Sequence, residues 1–353
     1  MSLIQKAHRI DGKFQNPIPT PMGGLGLALK VLPQYFASTR ERVPRRAIGP
    51  FVSDPAVFHT APPTGLRVTW FGHSSTLLEM DGVRILIDPV WDERASPVQW
   101  FGPRRFFPPT IRLEDLPALD AILISHDHYD HLGEATVRGL AHLQPATRWI
   151  TSLGVGSLLT TWGVRPDRIA ELDWTESTRV SSAAGGVCTV TSLPARHFSG
   201  RSLRNRFETL WASFVLQGSG PETHRVYYGA DSGLWDGFPE IGSRYGPFDL
   251  TMLEIGAYND LWRSIHMGPG GAAEAFRAMG ACGLLMPIHW GLFDLALHAW
   301  REPIQTMEEL ATQHGLALFQ PAPGKPTDLT RGVAHRSGWW HEGATPNSDN
   351  RRR

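Results

Sequence analysis

Between residues 66 and 320, short apolar runs rich in β-branched and aromatic side chains alternate with turn signals and amphipathic stretches. Arg67–Phe71, Ser75–Met80 and Val83–Asp88 read as successive strands, with Asp81-Gly82 as a hairpin turn. Ala121–Ile124 is a continuous apolar run of strand length, and the stretch Glu134–Leu143 places Val137, Leu140 and Ala141 on one helical face. Further strands are expected at Val187–Leu193, Leu210–Gln217, Arg225–Gly229, Leu250–Ile255 and Leu284–Ile288, and helices at Gly270–Met279 and Ile304–His314. Strands interleaved with helices imply a layered α/β fold, in which sheets pack together and helices cover them.

The ends of the chain have a different texture. Residues 1–65 are rich in Pro and Gly and carry a basic run, Arg40–Arg46. They read as an arm wrapped on the domain, with one short helix near Leu25–Phe36. Residues 321–353 read as a loosely ordered tail, with Trp339-Trp340 placed to dock back on the body. The catalytic domain is therefore expected over 66–320, as a single domain.

Composition narrows the options. Lys+Arg and Asp+Glu balance at 34 each, which leaves no electrostatic footprint for long nucleic acid. Cys188 and Cys282 lie far apart and form no disulfide framework, as in a reducing compartment. The N-terminus lacks a basic region followed by an apolar stretch, and the window Gly23–Leu32 is too short for a membrane span. A cytoplasmic protein is expected.

Chemistry concentrates where strands end. His126, His128, Asp130 and His131 offer four metal-binding groups in six residues, directly after a strand. In a tight loop, the first two can point to one ion and the last two to a second. Two ions need more ligands, and three single residues at strand ends can supply them: His197, Asp231 and His289. Each alone is more often structural, and the Asp231 carboxylate has the geometry to bridge two ions. Asp88 closes an apolar strand, where a carboxylate is costly unless paired; it is either the acceptor that orients a ligand imidazole or part of an Asp-Pro turn. His266 is either a proton donor or oxyanion partner, or a buried structural histidine.

With these residues the chain resembles the metallo-β-lactamase superfamily. More narrowly it is similar to N-acylphosphatidylethanolamine-hydrolysing phospholipase D and its bacterial relatives. The narrower likeness is carried by Asp11–Pro17, Gly65–His73, Asp88-Pro-Val90, Arg94–Pro97, Gly102-Pro-Arg104, Glu171–Trp174, Tyr245–Asp249, Ile255–Tyr258 and Ile288–Gly291. The segment Ser199–Arg206 departs from the animal lipid enzyme and follows the bacterial group.

The resemblance implies a four-layer αββα sandwich with a di-zinc centre, manganese and iron being accepted by the same ligands. It implies that His126, His128 and His197 hold one ion, that Asp130, His131 and His289 hold the other, and that Asp231 bridges. Asp130 and His266 are then the catalytic candidates, the latter near a substrate phosphate, and Asp88 supports a ligand from behind. His73 and Tyr258 are candidate substrate contacts, with Trp262 lining an apolar pocket and Arg201, Arg204 and Arg206 as candidate phosphate contacts. The implied function is a di-metal phosphodiesterase using a metal-bridging hydroxide; the alternative is hydrolysis of another ester, such as a phosphorylated-sugar lactone. The expected partner is a small-molecule or phospholipid substrate and no nucleic acid, with peripheral contact at the inner membrane surface and a homodimer both compatible. A catalytically dead binding protein would lack a ligand, and none is missing. Redox di-iron chemistry typically places Glu where His128 stands.

Overall fold

Leu66–Gly72 (β1), Ser75–Met80 (β2) and Val83–Ile87 (β3) form an antiparallel meander in the computed structural model of the protein, which describes residues 2–21, 33–34, 40–202, 204–220 and 223–341. The β2–β3 turn is made by Asp81 and Gly82 at φ 51° and 81°, the pair of positive values that a two-residue hairpin needs. From β3 the sheet continues in parallel through Ala121–Ile124 (β4), Arg148–Ser152 (β5) and Ile169–Leu172 (β6).

A second sheet takes the next six strands in sequence order: Ser177–Ser181 (β7), Val187–Leu193 (β8), Ser213–Gly218 (β9), Arg225–Tyr228 (β10), Leu250–Glu254 (β11) and Leu284–Ile288 (β12). β7 to β10 pair antiparallel and β10 to β12 parallel. The helices of this body among the described residues are Glu134–Leu143 (α1), Gly156–Thr161 (α2), Phe238–Tyr245 (α3), Gly268–Ala278 (α4) and Glu302–His314 (α5).

Side-chain alternation explains the layering. On the first sheet, Val68, Trp70, Leu78, Ile85 and Ile87 face the second sheet's core, while Phe71, Leu77, Leu86, Ile122 and Ile124 pack outward with Val137 and Leu140 of α1 and Leu159 of α2. On the other side, Ile241 of α3, Phe276 of α4 and Ile304 and Met307 of α5 join the main core. Strands covered on both faces need apolar residues on both, at about 1.5–3 kcal/mol for each fully buried large side chain. The result is the expected metallo-β-lactamase sandwich: two mixed sheets with flanking helices.

Both ends pack onto this body. Ile4 and Phe14 are buried, and the Phe14 amide donates to the Phe207 carbonyl at 2.8 Å. The helix expected over 25–36 lies outside the described residues apart from Pro33 and Gln34. The segment from Pro321 differs from a loose tail as far as His341. Thr327–Asp328 (β13) pairs antiparallel with the outer edge of β1, and Trp339 and Trp340 are buried. Trp339 stacks on Trp290 at 5.2 Å, so packing of large aromatic surface overrides the polar composition around it.

Other differences have local causes. Residues 210–212, expected within a strand, bond to the first sheet instead: the Ala212 amide donates to the Ser125 carbonyl and that of Leu210 to Leu153. α5 begins two residues earlier than expected because Pro303 fits a first helical turn; it ends at Gly315, in the left-handed region at φ 65°.

Candidate metal centre

Every residue of the His/Asp constellation sits just past a strand or in a strand-to-strand turn. His126–His131 follow β4, His197 follows β8, Asp231 follows β10 and His289 follows β12. Asp88 follows β3, Glu254 ends β11, and His73 lies in the β1–β2 turn. The chain leaves these strands under strain: His73, Asp88, Ala230, Ala257 and His289 all have φ between 39° and 63°.

Two groups of four side chains converge. In the first, the Nε2 atoms of His126 and His197 lie 2.9 and 3.2 Å from Nδ1 of His128. Their protonation follows from what stands behind them. Nδ1 of His197 faces the Ile265 carbonyl at 3.0 Å, and a carbonyl only accepts. The Ser125 hydroxyl donates to Asp88 at 2.5 Å, so it accepts from Nδ1 of His126 at 2.9 Å. Both Nε2 atoms therefore present lone pairs to the same small space. Burial, reinforced by neighbouring imidazoles, holds His126 and His197 well below the usual histidine range, in their neutral ligand forms. The Asp231 carboxylate lies 3.8 and 3.6 Å from these nitrogens.

In the second group, Nδ1 of His131 donates to Asp88 at 2.7 Å, which aims its Nε2 at Asp231, 3.2 Å away. Nε2 of His289 lies 3.1 Å from Asp231 and 3.2 Å from Asp130. Burial opposes charge on Asp231 and Asp130, but the imidazoles around them outweigh it and hold both carboxyls well below their usual range. Nε2 of His131, Nε2 of His289 and Oδ1 of Asp231 are buried without hydrogen-bond partners. Against burial, the two carboxylates in turn hold His131 well above the usual histidine range and His289 up to about 10, so that protons occupy the space that cations would take. Imidazole nitrogens and carboxylate oxygens gathered this closely in a buried site fit a pair of divalent cations. The donor set is a binuclear metal site, with Asp231 common to both halves.

Asp88 is fully buried, and its oxygens accept from the Ser125 amide and hydroxyl, His131 and the Tyr228 hydroxyl. Asp88 thus holds the His131 imidazole by Nδ1 and fixes its orientation. Glu254 does similar work. It is fully buried, its Oε2 lies 2.6 Å from Nδ1 of His266, and it accepts from the Met267 amide at 2.8 Å. The sequence reading passed over Glu254, although it carries the signal that singles out Asp88: an acid closing an apolar strand.

A cleft of about 320 Å³ opens above the metal residues. His128, Asp130, Asp231, His266 and His289 form its polar lining, and Phe198, Trp262, Ile265 and Leu295 its apolar one, with Arg206 alongside. Two of the expected substrate contacts do not border it. His73 is buried with its Nε2 on Asp130 at 3.0 Å, and with Asp130, His131 and His289 it forms a group whose potential ligand atoms lie within 4.8 Å of one another. The Tyr258 hydroxyl donates to Glu302 at 2.9 Å and its ring stacks on His298, turned to α5. Of the three arginines, Arg201 is folded under Tyr129, donating to the Asp127 and Leu132 carbonyls, and Arg204 is exposed; only Arg206 reaches the cleft.

Comparison with known proteins agrees with this geometry. The family model of the beta-lactamase superfamily domain matches residues 83–290. An uncharacterized protein of Mycobacterium tuberculosis is 43% identical over 332 residues, 94% of this chain and 86% of that one. N-acyl-phosphatidylethanolamine-hydrolyzing phospholipase D 1 of Caenorhabditis elegans is 36% identical over 260 residues, 72% of this chain and 71% of that one. Among solved structures, the metallo hydrolase Igni18 of Ignicoccus hospitalis shares the fold with a TM-score of 0.56 at 22% identity, over 74% of this chain and 97% of that one. The chain belongs to the metallo-β-lactamase superfamily. It is a metal-dependent hydrolase of that superfamily, with buried His/Asp metal sites.

Proposed function

We propose that this hydrolase is a phosphodiesterase of the N-acylphosphatidylethanolamine phospholipase D type. The observation that carries the reading is the cleft: a metal-binding floor, apolar walls and one guanidinium suit an ester that joins an anionic phosphoryl group to an apolar tail. The 36% identity to the nematode phospholipase D supports the same substrate class.

His126, His128 and His197 would hold one ion and Asp130, His131 and His289 the other, with Asp231 shared. When bound, two divalent ions supply Lewis acidity and lower the pKa of coordinated water toward neutrality. The protein's own groups do the rest. Asp88 keeps Nδ1 of His131 protonated and its Nε2 free to bind. Glu254 holds His266 by Nδ1, so that its Nε2 is available in the cleft to hold the proton that the leaving alkoxide needs. Phe198, Trp262 and Leu295 exclude bulk water from the reacting group. The substrate is a phospholipid. No helix among the described residues is long and apolar enough to cross a bilayer.

Metal-loaded protein should release N-acylethanolamine and phosphatidate from N-acylphosphatidylethanolamine, followed by mass spectrometry. His266→Ala should keep its metal but lose about 10²–10⁴-fold in kcat. Turnover of phosphorylated-sugar lactones with none of the lipid would transfer the site to the lactonase reading.

A further inference from the structure

Among the described residues nothing neutralises the Arg206 cation: no carboxylate pairs with it, and its Nε is buried without a hydrogen-bond partner. Its company is aromatic: the guanidinium carbon lies 4.8 Å from the ring centre of Phe198 and 5.6 Å from that of Phe207. Two rings fix the plane of the guanidinium without using its N–H edge, which leaves the edge for a planar acceptor such as an oxyanion.

Its placement is tied to the metal loop. The Phe198 ring also contacts the imidazoles of His128 at 4.5 Å and His197 at 4.8 Å. The loop over 199–207 closes on itself where the Phe207 amide donates to the Ser199 carbonyl at 3.1 Å. It is anchored on Asp127, between His126 and His128, whose carboxylate accepts from the Gly200 amide at 2.7 Å and the Thr209 hydroxyl at 3.0 Å. Gly200, at φ 127°, lets the two ends of the loop meet; a Cβ there would come within 2.8 Å of the Arg206 Cα. A long, flexible cation is thus held at one place beside the metal residues.

We propose that Arg206 is the specificity-determining contact for substrate charge: it binds an oxyanion of the phosphoryl group and selects anionic phosphodiesters over neutral esters and lactones. The assignment rests on the phosphodiesterase reading above but is separable from its lipid. Neutral substrates gain nothing from this contact, whereas a phosphodiester meets positive charge from the arginine as well as from the metal floor.

The test uses metal-loaded wild type, Arg206→Gln and Arg206→Lys, titrated calorimetrically with inorganic phosphate and assayed on bis(p-nitrophenyl) phosphate and p-nitrophenyl acetate. Arg206→Gln should weaken phosphate about 10–100-fold and raise KM for the diester comparably, with kcat within about threefold. Metal content and turnover of the neutral ester should not change, and Arg206→Lys should recover part of the loss. Unaltered phosphate affinity in Arg206→Gln, or an equal loss on the neutral ester, would overturn the assignment. Wild type that binds phosphate through Arg206 yet leaves N-acylphosphatidylethanolamine intact keeps the assignment and removes the lipid. Lipid turnover with an unchanged KM in Arg206→Gln does the reverse.

Discussion

Asp88 shows how much of a metal centre lies behind the atoms that touch the metal. Its oxygens gather four donors, and the bond to Nδ1 of His131 decides which nitrogen of that ring is free to bind. Asp88→Asn keeps the volume but sets an amide N–H or a weaker acceptor against those donors. Metal affinity should fall about 10–100-fold, read by competition with a chromophoric chelator; an unchanged affinity would mean that Asp88 only fills space. The ligand types were legible in the sequence because imidazole and carboxylate are rare at the ends of apolar strands unless they bind something. Glu254 was equally legible and was missed, since its partner His266 lies 12 residues on and joins it only through the fold. Tyr258 shows the opposite limit: nothing local reveals that Glu302 would claim its hydroxyl.

At the scale of elements, sequence patterning finds the strands where Val, Ile and Leu dominate, together with the half-buried β8; it passes over β5, which is buried but holds only two large apolar residues in Arg-Trp-Ile-Thr-Ser. β6 and β7 carry Glu, Ser, Thr and Arg at partly exposed positions and leave no apolar run to read. α2 and α3, at six and eight residues, are too short to establish a helical period. What patterning cannot show is how tightly the strand ends meet. Gly256, two residues past β11, faces the carbonyl oxygen of His289; a Cβ built there would lie 2.0 Å from it. Gly256→Ala must push back the loop after β12 and with it a metal-site imidazole. We expect a loss of about 1–3 kcal/mol in denaturant unfolding and less than full metal content by elemental analysis. A stable, fully loaded variant would show that the two loops can part without harm.

For the molecule as a whole, the two sheets and their helices follow from patterning and the docking of Trp339-Trp340 from the pair itself, whereas the pairing of β13 with β1 does not. Trp340 is 1% exposed and stands against Trp290, which follows His289 directly. Trp340→Ala should cost about 3–5 kcal/mol, measured by chemical denaturation; a change below 1 kcal/mol would mean the segment can lift away freely. The same segment supplies β13, the only cover for the outer edge of β1 among the described residues. In vectorial synthesis β1 emerges long before residues 327–340, an interval on the order of tens of seconds at ordinary ribosome speeds. Throughout it the nascent chain offers a bare strand edge beside Trp70, the kind of surface that pairs with neighbouring chains. Keeping that edge from neighbouring chains until its late partner arrives is a demand set by topology alone.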